Sequence, residues 1–408
     1  MTAYSPATPS HEPVPSPFAG LRRGFGPALR RGLERVTSGA LAPYQSAVLR
    51  IGLSLTWLAL LLREWGHRNE LYGMGSPWSW TMARQLIGTD RTLTVLMWSD
   101  SQLWFEIVYA VAIAAAVMLL LGWRTRTASL LFMTGVLALL NRNPHAGNAG
   151  EDVIHILAIY LVFTRCGQVW SLDARRSAGG RGGRDVVGIV MWVVCTAVLA
   201  PASVLGKLGT GWAVLLWCFA VAQAAWWLVC RYAPGEPRTV MEMVGNVVHA
   251  GAMLVIAVQV CLIYSASGWY KIQGSQWQDG TALYYPLHLG VYTPWPAVSH
   301  AIASSSVIIL ILTYGTVMVE VAFAFSIFHR RLRTVMVAIM LSMHAGIGVL
   351  LGLPFFSMAM MAADLIFLPT PVLHWAGDRV ARVVPRARRG VVHPQAAREQ
   401  AEPAHYRA

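Results

Sequence analysis

Val186-Val-Gly-Ile-Val-Met-Trp-Val-Val-Cys-Thr-Ala-Val-Leu-Ala-Pro-Ala-Ser-Val-Leu205 carries no charge from end to end. An apolar run of 18 or more residues is long enough for a helix to cross the hydrocarbon of a bilayer. Such runs recur along the whole 408-residue chain, at approximately 43–62, 103–122, 127–140, 153–164, 186–205, 212–230, 244–267, 302–328, 334–353 and 355–369. The third, fourth and tenth are short and need bilayer thinning, re-entrance or burial among other helices. Composition agrees: 56% of residues are hydrophobic and 12% charged, against about 25% charged in a soluble domain. No period-two alternation is visible, which argues against an outer-membrane barrel. The expected fold is therefore all-α: a polytopic helical membrane protein with about ten transmembrane helices, multi-pass in the cell membrane.

The net charge of +13 raises nucleic acid as a partner, but its placement excludes it. The charges sit in short clusters between apolar runs, as in cytoplasmic loops that meet anionic headgroups. With the N-terminus inside, 24 of the 32 lysines and arginines are cytoplasmic and seven are external. Arg50 lies within the first span. The positive-inside rule thus puts both termini in the cytoplasm, with long external segments at 63–102 and 268–301. Residues 1–40 read as a disordered basic segment without a signal peptide. Within it, Leu21–Val36 reads equally as an amphipathic helix on the inner leaflet or as a plain basic anchor. The helical domain covers 41–372, and 373–408 reads as a basic, disordered cytoplasmic tail.

Two lysines stand among thirty arginines, Lys207 and Lys271. Arginine stays protonated in proteins, whereas a lysine amine can become a base once burial and neighbours act on it. Lys271 follows the seventh span beside Trp269, Tyr270 and Trp277, where it is placed for proton abstraction. The alternative is an interfacial lysine snorkelling beside an aromatic belt. Lys207, in a Gly-flanked turn, reads as a solvated loop residue. Glu106, Asp152, His155, His249, Glu320, His344 and Asp364 fall within or beside spans, where ionisable groups face a cavity or each other. Glu320 is positioned to pair with His344 or Lys271. His155 lies one turn after Glu151 and Asp152 on one helix face. No metal site is expected, since no ligand spacing such as HExxH occurs, and the five cysteines read as buried hydrophobes. Phosphate loops and the GxSxG elbow are also absent from the sequence.

Tyr264-Ser-Ala-Ser-Gly268-Trp-Tyr-Lys271-Ile-Gln-Gly-Ser-Gln-Trp277-Gln-Asp-Gly280 resembles the signature of the HTTM (horizontally transferred transmembrane) domain family. That family is similar to the membrane part of vitamin K-dependent gamma-carboxylase and, more distantly, to the sporulation-delaying protein SdpB. Trp170-Ser171-Leu172-Asp173 looks like the family's Trp-Ser-x-Asp, and His344 with Phe355–Met361 looks like its late His and Phe/Met-rich segment. The resemblance covers residues 40–370. It implies an enzyme with Lys271 as base, His344 and Glu320 as positioning or relay groups, and Trp277, Tyr264 and Trp269 lining a site for a quinone-type cofactor. Where the carboxylase has a histidine before its fourth-span hairpin, this chain has Gly150. No counterpart of the luminal substrate domain is read, so carboxylation of protein glutamates is not expected. The SdpB comparison implies instead a non-catalytic maturation or export factor whose partner is a secreted peptide or small protein. A transporter is the third reading, disfavoured because no pair of broken helices stands out.

Overall fold

The computed structural model describes residues 19–90, 92–179 and 185–383. Among these, every regular element is an α-helix or a short 3-10 turn. The helices that build the body are α1 (Ala19–Ser38), α2 (Pro43–Glu64), α3 (Gln102–Leu121), α4 (Thr125–Arg142), α5 (Ala149–Leu161) and α6 (Val186–Val204). They continue with α7 (Thr210–Tyr232), α8 (Glu236–Gln273), α9 (Ser306–Ser326), α10 (Arg330–Leu350), α11 (Pro354–Asp364) and α12 (Thr370–Val383). Seven of them, α2, α3, α6, α7, α8, α9 and α10, are long and apolar enough to cross a membrane.

The remaining apolar segments explain themselves by position. α4, α5 and α11 are too short or too polar to qualify, and all three are packed inside. α11 sits between α2, α5 and α10, with Ser357, Ala359, Met360, Ala362, Ala363 and Asp364 buried. Small residues permit this seat, as they do wherever helix backbones approach closely. A Cβ on Gly52 of α2 would lie 2.3 Å from the Ala362 methyl, and one on Gly150 of α5 would lie 2.6 Å from the Phe356 backbone. A helix enclosed by other helices needs neither the length nor the uniform apolarity of one facing lipid.

α6 and α7 form a peripheral hairpin, with little of α6 and none of α7's apolar window buried. The Trp192 indole N–H donates to Ala220 O across the hairpin at 2.9 Å, and Arg124 pairs with Asp185 at its base. At 1.5 Å per residue, the 38 residues of α8 reach about 57 Å, nearly twice the roughly 30 Å of a hydrocarbon core.

The ends differ from expectation. Residues 1–18 and 384–408 lie outside the described residues. The basic stretch at 21–36 lies within α1, whose C-terminal end is held to α8: Asn246 Nδ2 donates to Thr37 O at 2.9 Å. His249 accepts from Arg165 N at 3.0 Å through Nδ1 and donates through Nε2 to Leu41 O at 2.6 Å. The segment from 373, expected to begin the basic tail, continues in α12 as far as Val383. α12 is docked on the body: His374 lies edge-on to Tyr44 at 5.7 Å, Leu373 is buried, and Gly377 packs against the Trp170 ring. The eighth segment, read as 302–328, is broken at Ser304–Ser305, where the Ser305 hydroxyl caps α9.

Candidate acid–base site at the Lys271 end of the bundle

Tyr264, Ser267, Gly268 and Lys271 follow one another on one face of α8 at helical spacing. Gly268 sets the approach of α9, since a Cβ there would lie 2.7 Å from the Val321 side chain. That close crossing brings Glu320, the residue before Val321, opposite Lys271. The Lys271 amine donates to Glu320 Oε1 and, at 3.0 Å, to the Ser267 hydroxyl one turn earlier. α8 ends at Gln273, and the Trp277 ring of the next turn lies 5.1 Å from the amine, within cation–π range. The Lys271 side chain keeps 18% of its exposure and Glu320 only 7%, so the pair is an enclosed one.

Behind this pair lies a second polar group. Tyr264 donates to Asp364 Oδ1 at 2.8 Å, and its oxygen is 2.9 Å from His344 Nε2. A phenol has one hydrogen. While Tyr264 gives it to Asp364, the His344 Nε2–H must donate to Tyr264, leaving Nδ1 as the imidazole acceptor. His344 Nε2 is 4.0 Å from Asp364 Oδ2, and Phe323, Phe356 and Phe367 wall the group with aromatic contacts. The two groups sense each other: the Lys271 charge acts on His344, and that of Glu320 acts on Tyr264. Six polar side chains from four helices therefore share one region. Glu320 Oε2, His344 Nδ1 and Asp364 Oδ2 have no hydrogen-bond partner among the described residues.

The structure brings together Lys271, Glu320, His344, Tyr264 and Trp277, and separates Trp269, which is exposed on the opposite face of α8. Tyr264 is buried and committed to His344 and Asp364, so it offers no ring face. The three aromatic residues thus form no common stacking surface for a quinone ring, and no chemical step is routed through such a cofactor. Asp364, conspicuous in sequence only as a charge near an apolar run, joins the site. Ser267 gave no signal beyond its spacing from Lys271.

Several of the other ionisable residues have structural work. Glu151 closes a capping box with Asn148: Asn148 N donates to Glu151 Oε2 at 2.9 Å and Asn148 Nδ2 to Oε1 at 3.1 Å. Its carboxylate is therefore turned to the helix start and not to His155 one turn on. Asp152 is exposed and His155 half-buried, with no bond between them. Glu106 pairs with Arg68 at 3.0 Å. Lys207 is exposed between α6 and α7. The Trp-Ser-x-Asp stretch is a structural knot, in which Asp173 accepts from Arg124 N, Thr125 N and the Thr125 hydroxyl at 2.8–2.9 Å and so caps α4. Gly150 is explained as well, because any side chain there would strike the α11 backbone at Phe356.

Fold and site define an all-helical protein with seven helices fit to cross a membrane and an enclosed Lys–Glu, Tyr–His–Asp cluster. Against known proteins, no family model and no solved structure matches. The chain is 32% identical over 135 residues to the "Uncharacterized protein YitO" of Bacillus subtilis (strain 168), covering 31% of this chain and 42% of that protein. The match thus spans less than half the length of the relative.

Proposed function

We propose that the chain is a multi-pass cell-membrane protein of about ten membrane-embedded helices with both termini cytoplasmic. In this reading it is an enzyme of the HTTM, carboxylase-like kind, whose acid–base site lies at the outer end of the bundle. The observation that carries it is the convergence of Lys271, Glu320, Tyr264, His344 and Asp364, three of them with an unpartnered buried polar atom. Lys271 first gives a proton to Glu320, to which it already donates; the neutral amine then takes the proton from substrate, and Tyr264 links His344 to Asp364 behind the pair. Polar groups this enclosed are costly in lipid and are kept for function.

The orientation is tested with the two lysines. A membrane-impermeant amine reagent applied to intact cells is expected to label Lys207 and Lys271; labelling only after permeabilisation inverts the topology. The chemistry is tested by untargeted mass spectrometry of the membrane lipids and secreted peptides of cells that make the protein. The wild type is expected to change one of these and Lys271→Arg none, because a guanidinium keeps the charge but does not act as a base. A fully active Lys271→Arg protein rules out the lysine base.

A second reading is favoured by the segment after the site. Tyr284, Tyr285, Val291 and Trp295 are exposed large hydrophobics there, a surface suited to a secreted peptide. The chain would then be a maturation or export factor, and a peptide would co-purify with the Lys271→Arg protein as well as with the wild type.

A further inference from the structure

A cavity of about 650 Å³ separates the α6–α7 hairpin from α3, α4 and α8. Its volume is that of a small-molecule site, and its walls are largely apolar, with Val111, Leu130, Trp192, Leu216, Gln223 and Trp226 among them. It is elongated along the helices. One end is bounded by Trp98 and Leu208. The other lies where α4 begins, α5 has just ended, and α7 gives way to α8, and there the lining includes Arg126, Arg165 and Glu242. None of the Lys271 cluster lines it.

The charges at that end are unbalanced. The Arg126 guanidinium lies 4.4 Å over the Trp226 ring and makes no hydrogen bond or ion pair among the described residues. Arg165 is close enough to act on it electrostatically and donates to Asn246, a neutral amide. Glu242 is held by Arg238 at 3.1 Å, and Asp173 is spent on the cap of α4. Two guanidiniums therefore stand at the head of an apolar slot; the charges of Glu242 and Asp173 reach them across space, but among the described residues neither carboxylate bonds to either guanidinium.

From this we infer that the cavity is a binding site for an anionic phospholipid, its phosphate on Arg126 and Arg165 and an acyl chain between the hairpin and the body. Guanidinium is the side chain matched to phosphate oxygens. The anionic lipids of the cytoplasmic leaflet lie on the side where the proposed orientation puts these arginines. The inference rests on that membrane placement and not on the reactivity of Lys271. It also explains how a hairpin so little buried against its own protein keeps its place: lipid fills the gap.

The test is reconstitution in equimolar phosphatidylglycerol and phosphatidylcholine, gentle re-extraction, and native mass spectrometry of retained lipid. Wild type is expected to retain phosphatidylglycerol selectively, and Arg126→Gln to lower that selectivity about fivefold, the size of one arginine–headgroup attraction. Arg330→Gln with Arg331→Gln, which removes two exposed arginines elsewhere, is expected to leave it unchanged. Ala220→Phe fills the slot and is expected to abolish quenching of tryptophan fluorescence by phosphatidylglycerol brominated in its acyl chain. Should Ala220→Phe misfold by circular dichroism, Arg126→Gln decides alone. Equal retention of both lipids, equal loss in the control pair, or a neutral quinone in place of phosphatidylglycerol overturns the inference. Release of the chain from membranes by alkaline carbonate is a different failure, that of the membrane placement itself.

Discussion

Arg50→Met is expected to be the most destabilising single substitution in the protein. Arg50 is fully buried in α2 and has no carboxylate partner. Its guanidinium instead donates to Leu119 O, to Leu120 O at 2.9 Å, to Cys166 O at 3.2 Å and to Trp170 O at 2.7 Å. The first two are end carbonyls of α3, at the negative end of its dipole; Leu119 O also accepts from Gly122 N at 3.1 Å. The other two belong to the segment that follows α5 and leads into the cap of α4. One side chain thus ties the ends of three helices. Methionine matches its length but donates nothing, so four hydrogen bonds to carbonyls are lost, and only Leu119 O keeps another donor, Gly122 N. At roughly 1 kcal/mol each the loss is about 4 kcal/mol, a large share of the 5–15 kcal/mol by which proteins are stable. In a detergent melt this corresponds to a fall on the order of 10 °C. Arg50→Lys is expected to fall between, since a point-like ammonium cannot reach carbonyls in three directions. A methionine variant melting within a degree or two of wild type would show that the knot carries little.

Much of this architecture is legible in the residues. Nine of the ten apolar segments each fall mainly on one helix, because apolar length is a strong local signal, and the eighth is broken at Ser304–Ser305. The three segments too short to span alone are the enclosed ones, which their Arg, Asn, Glu and Asp content foreshadows. What could not be read is which apolar faces meet. α6 and α7 are as hydrophobic as the core helices yet are peripheral, since a helix apolar all round does not say whether lipid or protein covers it. The site was half legible. The scarcity of lysine singles out Lys271, and an acid within a span singles out Glu320. Their pairing depends on the α8–α9 crossing at Gly268, a long-range contact that no spacing rule encodes. Spacing misled once, at Glu151 and His155, because a capping box competed for the carboxylate and won. It misled again at Trp269, since the stop at Gln273 turns the chain and swings the more distant Trp277 onto the amine.

Glu320→Gln is expected to expose the chemistry of Lys271 most directly. Glutamine keeps the volume and one acceptor but removes the anion. The ammonium then retains only the Ser267 hydroxyl, the glutamine oxygen and the Trp277 face. Breaking a buried pair by removing one partner costs about 3–5 kcal/mol; the retained acceptor and the partial exposure of Lys271 bring the expected cost to about 2 kcal/mol. More telling is reactivity. Without the anion the amine loses the partner that holds its nitrogen inside the helix crossing, so it is freer to meet a reagent. Only two side-chain amines exist in the chain, so each can be followed by peptide mass mapping during labelling with an amine reagent. In the wild type Lys271 is expected to react more slowly than the exposed Lys207. In Glu320→Gln its rate is expected to rise several-fold while that of Lys207 stays constant. Equal rates for both lysines in both proteins would mean an idle interfacial lysine. The exchanged pair, Lys271→Glu with Glu320→Lys, separates the two roles. It is expected to recover most of the lost stability, because the ion pair is rebuilt across the same helix crossing. It should not recover activity, because the amine then projects from α9, one helix away from Ser267 and the turn that carries Trp277.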